Sequence, residues 1–193
     1  GKRLSRLECL SDDATIAFEA NHGQRAMEAM ADLPSATISM TPSAAGLKSG
    51  LITNHAWRSN TCYVSQSETN ALVVCQRTQK HVQNIGHVLL VHRYIGGRSK
   101  GYVGDTVLDR KPGAVYILDA ELQWTGIREP STIQSVYVPK AALGYDPDRH
   151  PNSLEIPSTH KLGISLNAKL DGLFNQLHEK GGHLPQKAFD QFI

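Results

Sequence analysis

Residues 108–124 read LDRKPGAVYILDAELQW. The Lys111-Pro112-Gly113 turn leads into a short alternating apolar run, Ala114 to Asp119, which passes an acidic corner at Asp119 and Glu121 and ends on Trp124. Pro presets such a turn and Gly supplies the freedom after it, while Val, Tyr and Ile suit a pleated, half-buried surface. The stretch predicts a strand entered by a tight turn and left at a sharp corner.

The same signature recurs on both sides. GLITNHAW (50–57), TCYVS (61–65), ALVVCQ (71–76), GHVLLVHRYI (86–95) and TIQSVYVP (132–139) are β-branched and aromatic runs between clusters of Asn, Ser, Gly and Pro. That spacing is the pattern of a sandwich or small barrel. With no helix-period segment between the runs, a parallel βαβ architecture is not expected. Gly96-Gly97, Gly101 and Gly104 read as tight hairpins needing positive φ.

Outside this block the reading is helical. In residues 1–33, Ser11-Asp12-Asp13 supplies an N-cap and two acids for a first turn, and QRAMEAMADL (24–33) is rich in helix formers until Pro34. Leu162, Leu166, Leu170, Leu173 and Leu177 recur at steps of four and three, a narrow apolar seam. Gly181-Gly182 closes that helix, and LPQKAFDQFI (184–193) starts another. The expected fold is mainly β with α. A helical N-terminal arm (1–36) precedes a barrel (37–145), followed by a linker and a helical hairpin (146–193).

Composition narrows the function. The 193 residues are 40% hydrophobic and 20% charged, with a net charge of +2, an ordinary globular balance. The basic residues are scattered, so no nucleic-acid surface is expected. Their densest group, Arg98 and Lys100 with Arg110 and Lys111, reads as solvated turn positions. Cys9, Cys62 and Cys75 form no C-x-x-C pair and leave an odd one over, which points to a reducing cytoplasm. No apolar run approaches the roughly 18 residues of a membrane span. The chain opens on Gly1 and closes on Phe192-Ile193 while still apolar at helical spacing, which reads as a fragment.

Catalytic patterns are missing from the sequence. His87 and His92 lie five residues apart on one strand, hence on opposite faces, and His178 and His183 are separated by the glycine pair. There is no H-x-H, H-E-x-x-H or G-x-S-x-G, and no G-x-x-x-x-G-K-[ST] or G-x-G-x-x-G phosphate loop. Asp119 and Glu121 read as turn formers rather than acid–base groups. No metal and no cofactor is expected.

YIGGRSKGYVGDTVLDRKPGAVYILDAELQWTG (94–126) resembles the cupin-type ligand-binding barrel of the AraC/XylS family of transcriptional regulators. CQRTQKHVQNIGHVLLV (75–91), with Arg77-Thr78 at the usual Arg-Thr position, resembles the segment before the hairpin. SVYVPKAALGYDP (135–147) resembles the Val/Leu-Pro-basic-x-x-Leu signature that closes the barrel. The resemblance covers roughly residues 50–180 and implies a cupin-like double-stranded β-helix, with a dimerisation helix at the leucine seam.

It further implies a non-enzymatic effector-sensing and dimerisation domain of a bacterial, cytoplasmic regulator, whose DNA-reading helix-turn-helix pair follows this barrel and is not in this chain. The expected partners are a small organic effector, flat or aromatic, and a second copy of the chain. Metal-dependent cupins carry a histidine ligand after this corner; here the count lands on Trp124, which offers an apolar face and one N–H donor. Strand parity adds softer candidates for the pocket: Gln134 with Val136, and His92 with Tyr94. Arg93 is expected to face solvent. The alternatives are a stand-alone metal-dependent cupin enzyme, an isomerase or dioxygenase, and a barrel used only for protein assembly.

Overall fold

The structure, a computed structural model, describes residues 5–8, 17–21, 39–42, 51–58, 63–70 and 72–179. Short strands come first: β1 (Ser5–Glu8), β2 (Ala17–Asn21), β3 (Ser39–Pro42), β4 (Leu51–Arg58), β5 (Tyr63–Thr69) and β6 (Val73–Arg77). Helix α1 (Gln79–Ile85) follows, then β7 (Val88–Gly96), β8 (Ser99–Val103), β9 (Thr106–Arg110), β10 (Ala114–Asp119), β11 (Trp124–Arg128) and β12 (Ser131–Pro139). Helix α2 (Lys140–Leu143), β13 (Ser153–Pro157) and helix α3 (Lys161–Glu179) complete the described chain.

All pairings among the described strands are antiparallel. An eight-stranded sheet runs β1-β2-β4-β5-β12-β7-β10-β13, and a five-stranded sheet runs β3-β6-β11-β8-β9. From β6 onward the chain alternates between them: β6, the β8–β9 hairpin and β11 lie in the smaller sheet, and β7, β10 and β12 in the larger. This is the winding of a double-stranded β-helix barrel, which the sequence leads one to expect. The expected strands at 86–95, 114–119 and 132–139 are β7, β10 and β12.

Strands β7, β10 and β12 of the larger sheet are buried on both faces. Outside, α3 lays Leu170, Leu173, Phe174 and Leu177 on Val64, Val91, Val115, Val136 and Val138, with Leu166 and Ile117 at the margin. Each such side chain contributes roughly 1.5–3 kcal/mol by leaving water. That explains why β7 has seven consecutive buried residues instead of an alternating pattern.

Four readings are corrected. Residues 5–8 and 17–21, taken as part of a helical arm, are strands that pair with each other and, through β2, with β4. Sheet pairing overrides a local propensity that was weak to begin with. Helix α1 interrupts the strand series. It is held at its start by the Thr78 N–H donating to His81 Nδ1 at 3.0 Å, a histidine in the place where Glu or Gln usually closes a capping box. At seven residues it is too short to show a period. Gly101 sits inside β8 rather than at a hairpin tip, whereas Gly97 and Gly104 do adopt positive φ. Arg110 is 7% exposed, so it is no solvated turn position. The segments 24–33 and 184–193, read as helical, lie outside the described residues.

Candidate functional site

The inner face of the larger sheet and the inner face of the smaller one enclose a cavity of about 140 Å³. Strand period explains who reaches it. From β7 come Leu90, His92 and Tyr94, and from β12 Ile133, Ser135 and Tyr137. The smaller sheet answers with alternate residues: Cys75 and Arg77 of β6, Leu108 and Arg110 of β9, and Trp124, Gly126 and Arg128 of β11. Registers set the rows. Ser99 pairs with both Arg110 and Arg128, Gly101 with Leu108 and Gly126, and Trp124 with Arg77. A cationic row and an aromatic–cationic row therefore flank a floor of two glycines.

Three guanidinium groups are buried here: Arg77 at 2%, Arg110 at 7% and Arg128 at 3% exposure. Burial lowers the pKa of each, yet an arginine keeps its charge in proteins. Arg128 donates to neutral acceptors, the Ser131 and Ser67 hydroxyls at 2.7 and 2.9 Å and the Ser67 carbonyl at 2.9 Å. Arg110 donates to the Ser153 hydroxyl at 3.4 Å and lies 4.4 Å over the Tyr116 ring. Arg77 lies 5.8 Å from the centre of the Trp124 ring. Among the described residues, no Asp or Glu lines the cavity.

Two neutral donor–acceptor groups complete the lining. His92, stacked 5.5 Å from Tyr116, has a pKa pushed down to about 3 by burial first and then by Arg110 and Arg77. Its Nδ1 and the Trp124 Nε1 are buried with no hydrogen-bond partner. A buried polar atom left bare costs roughly 1–3 kcal/mol. The Tyr94 hydroxyl, by contrast, bonds Ser99 Oγ and so ties the two sheets together.

Burial pushes the Cys75 thiol up to about 11, so it is no thiolate nucleophile at neutral pH. The lining offers one imidazole and one thiol, and no described group of three or more His, Cys, Asp or Glu side chains could hold a metal ion. That donor set does not fit the ion of a metal-dependent barrel. The acidic corner is structural. Asp119 Oδ1 meets Lys140 Nζ at 2.7 Å and accepts from the Glu121 N–H at 2.9 Å, while the Tyr145 hydroxyl donates to Oδ2 at 3.0 Å.

Of the pocket candidates, Trp124, His92 and Tyr94 come together in the cavity. Gln134 and Val136 do not. They share a face, as parity requires, but it is the face under α3. Arg93 is likewise buried there, donating to Gln134 Oε1 at 3.0 and 2.8 Å and to Asn167 Oδ1 at 2.9 Å, with Asp171 at 2.7 Å. The expectation that it faces solvent is wrong. Of the leucine seam, Leu170, Leu173 and Leu177 are spent on the chain's own barrel, Leu166 is half-buried on it, and Leu162 stays 49% exposed.

Sequence reading missed Arg77, Arg110 and Arg128 as lining residues. The signal was present in VVCQR and WTGIR, where period two sets Arg77 with Cys75 and Arg128 with Trp124.

No family model and no curated protein matches the sequence. Among solved structures the chain is similar to CuxR, an AraC-like transcriptional activator, with a TM-score of 0.62 and 14% identity over 74% of this chain and 53% of that one. The chain thus spans about half the length of CuxR. Weaker likenesses are to an ethanolamine utilization protein Q of Salmonella typhimurium LT2, with 11% identity, 72% and 97% coverage and a TM-score of 0.32, and to the 7S globulin of Momordica charantia, with 10%, 72%, 44% and 0.26. At 14% identity what the chain shares with CuxR is its fold.

Proposed function

We propose that this chain is the effector-sensing domain of an AraC-like transcriptional regulator. The observation that carries the reading is the contrast between the two faces of the larger sheet. The outer face, under α3, is a valine and leucine cluster that supplies the stabilising core, and its buried polar pair, Arg93 and Gln134, is bonded within the chain. The inner face opposes arginines, serines, a histidine and a tryptophan around open space. An interior serving stability alone would be filled with apolar side chains; a concave site with a few placed polar groups is the form of a small-molecule pocket. The fold shared with CuxR supports the same reading.

In this reading an effector enters the barrel and shifts how the domain packs against a DNA-binding part, by no more than its difference in affinity for the two arrangements. The regulator acts as a homodimer. Pairing uses the exposed start of α3, where Leu162 and Ile164 leave apolar surface uncovered on two sides of the helix, with a second copy of the chain as the occupant. Calorimetry of the folded chain against a panel of aromatic acids, amines and sugars tests the sensor. Binding of one class, lost in Trp124→Ala, is expected; a folded protein that binds none overturns it. Light scattering tests the pairing, with a dimer expected to fall to a monomer in Leu162→Asp/Ile164→Asp.

A further inference from the structure

We infer that the cavity recognises a single-ring organic anion: a carboxylate or related oxyanion on a planar ring. The inference rests on the effector-sensing reading and adds the ligand's chemical class. Three observations converge on it. Arg110 and Arg128 bring two buried charges into the lining, and among the described residues their hydrogen-bond acceptors are neutral oxygens. The acids that act on Arg110, Glu155 and Asp109, are not among the residues lining the cavity. A low-dielectric space that holds cations and, among the described residues, no lining carboxylate favours a negative guest, because charge–charge attraction is strongest where water is excluded.

Directional groups agree. The Trp124 indole N–H is a buried donor without an acceptor, and His92 Nδ1 is a buried ring nitrogen without a partner. An indole nitrogen only donates, so what completes it must accept. An oxyanion accepts from it and from a guanidinium together, and such charge-assisted bonds are the strong ones. His92 is 6% exposed and lies within electrostatic reach of both Arg110 and Arg77. The cationic groups and the unsatisfied ring nitrogens therefore serve one space.

Size sets the body of the ligand. A cavity of about 140 Å³ is close to the engineered void of roughly 150 Å³ that takes up one benzene. Gly101, beside Trp124 on the cavity wall, adds no side-chain bulk of its own, so the indole presents a flat face to the guest. Gly101 lies 3.6 Å, from an ideal Cβ position, from the edge of the indole.

The test is calorimetric titration of the folded chain with benzoate, salicylate and phenylacetate, against their neutral isosteres benzamide, salicylamide and phenylacetamide, and against inorganic phosphate, all at fixed ionic strength. At least one carboxylate binds at least tenfold more tightly than its amide. Arg110→Gln weakens the carboxylate tenfold or more and leaves the amide unchanged. Arg110→Lys and Trp124→Phe each weaken it several-fold, and they keep the inference testable should Arg110→Gln fail to fold. Amides binding as tightly as the acids overturn the anion inference and leave the effector cavity standing. Inorganic phosphate binding as tightly as the aromatic acids overturns the ring. A folded protein that binds none of these overturns the anion inference, and the wider panel of amines and sugars then decides whether the sensor reading survives.

Discussion

The guanidinium of Arg110 lies 4.4 Å from the centre of the Tyr116 ring, a cation set on an aromatic face inside the barrel. Tyr116 in turn stacks on His92, with ring centres 5.5 Å apart and planes 29° apart. The Arg110 charge thus lies close to the middle of the larger sheet, where it adds to burial, the larger cause, in keeping the His92 imidazole neutral.

That relationship has a pH signature. Burial, then Arg110 and Arg77, hold His92 at a pKa of about 3 in the folded chain, against an ordinary value near 6.5. The unfolded chain therefore takes up the proton first as pH falls. Stability is highest above about pH 7 and declines through the window from about 6.5 to 3, by at most ~1.4 kcal/mol per pH unit from this one group. His81, also lowered by burial and then by Arg77 and Lys80, adds to the same window. Urea midpoints should drop between pH 7 and pH 5, and drop less in His92→Phe. Equal drops in the two proteins would assign the window to other groups.

Gln134 separates stability from binding. Its carboxamide oxygen accepts from Arg93 at 3.0 and 2.8 Å, and its NH2 group donates to Gln66 at 3.0 Å, all on the side of the sheet away from the cavity. Gln134→Leu leaves a buried guanidinium short of an acceptor, a loss of about 1–3 kcal/mol. Ligand affinity stays unchanged. Asp171→Ala, at the 60%-exposed end of the same network, costs less than about 1 kcal/mol. Chemical denaturation and calorimetry on the two variants check both numbers, and a loss of affinity in Gln134→Leu would return that residue to the pocket.

Much of the barrel was legible because β7, β10 and β12 are continuous β-branched runs between turn residues, and the Lys-Pro-Gly turn fixes where β10 begins. What was not legible is which face looks inward. A sheet covered by α3 on one side and lining a cavity on the other has no solvent-facing side, so period two does not say which side looks inward. In β12 the register also shifts between Thr132 and Ile133. Ile133, Ser135 and Tyr137 thus line the cavity while Gln134 and Val136 turn to the helix. In the smaller sheet the parity was readable in Trp124, Gly126 and Arg128, but arginine is a surface residue by habit. Only the opposing wall shows why these arginines are inside.

The leucine seam gives a graded prediction along one helix. Leu170 is fully buried in the cluster beneath α3, and Leu162, two turns earlier, is half exposed. Leu170→Ala opens a cavity and costs about 2–5 kcal/mol, whereas Leu162→Ala stays within about 0.5 kcal/mol. Thermal unfolding of the two variants distinguishes a helix docked on its own barrel from one held mainly by a second copy, in which Leu162 would matter as much.

Gly101 offers the sharpest control on the cavity itself. It lies inside β8, facing inward, and a Cβ built on it would meet Trp124 Cε3 at 3.6 Å and Leu108 Cβ at 3.7 Å, both ordinary contacts. A valine there suits a strand, and glycine in a strand interior is a weak choice by roughly 0.5–1 kcal/mol, so the fold tolerates the change. Its methyl groups, however, occupy the floor between the cationic row and Trp124. Gly126 is the contrasting case, since a Cβ there would meet the Lys100 carbonyl oxygen at 2.5 Å and force the backbone apart. Gly101→Val should keep or raise the melting temperature and abolish ligand binding, while Gly126→Val unfolds the smaller sheet. A Gly101→Val protein that is folded and binds with undiminished affinity would place the ligand somewhere other than between the two sheets.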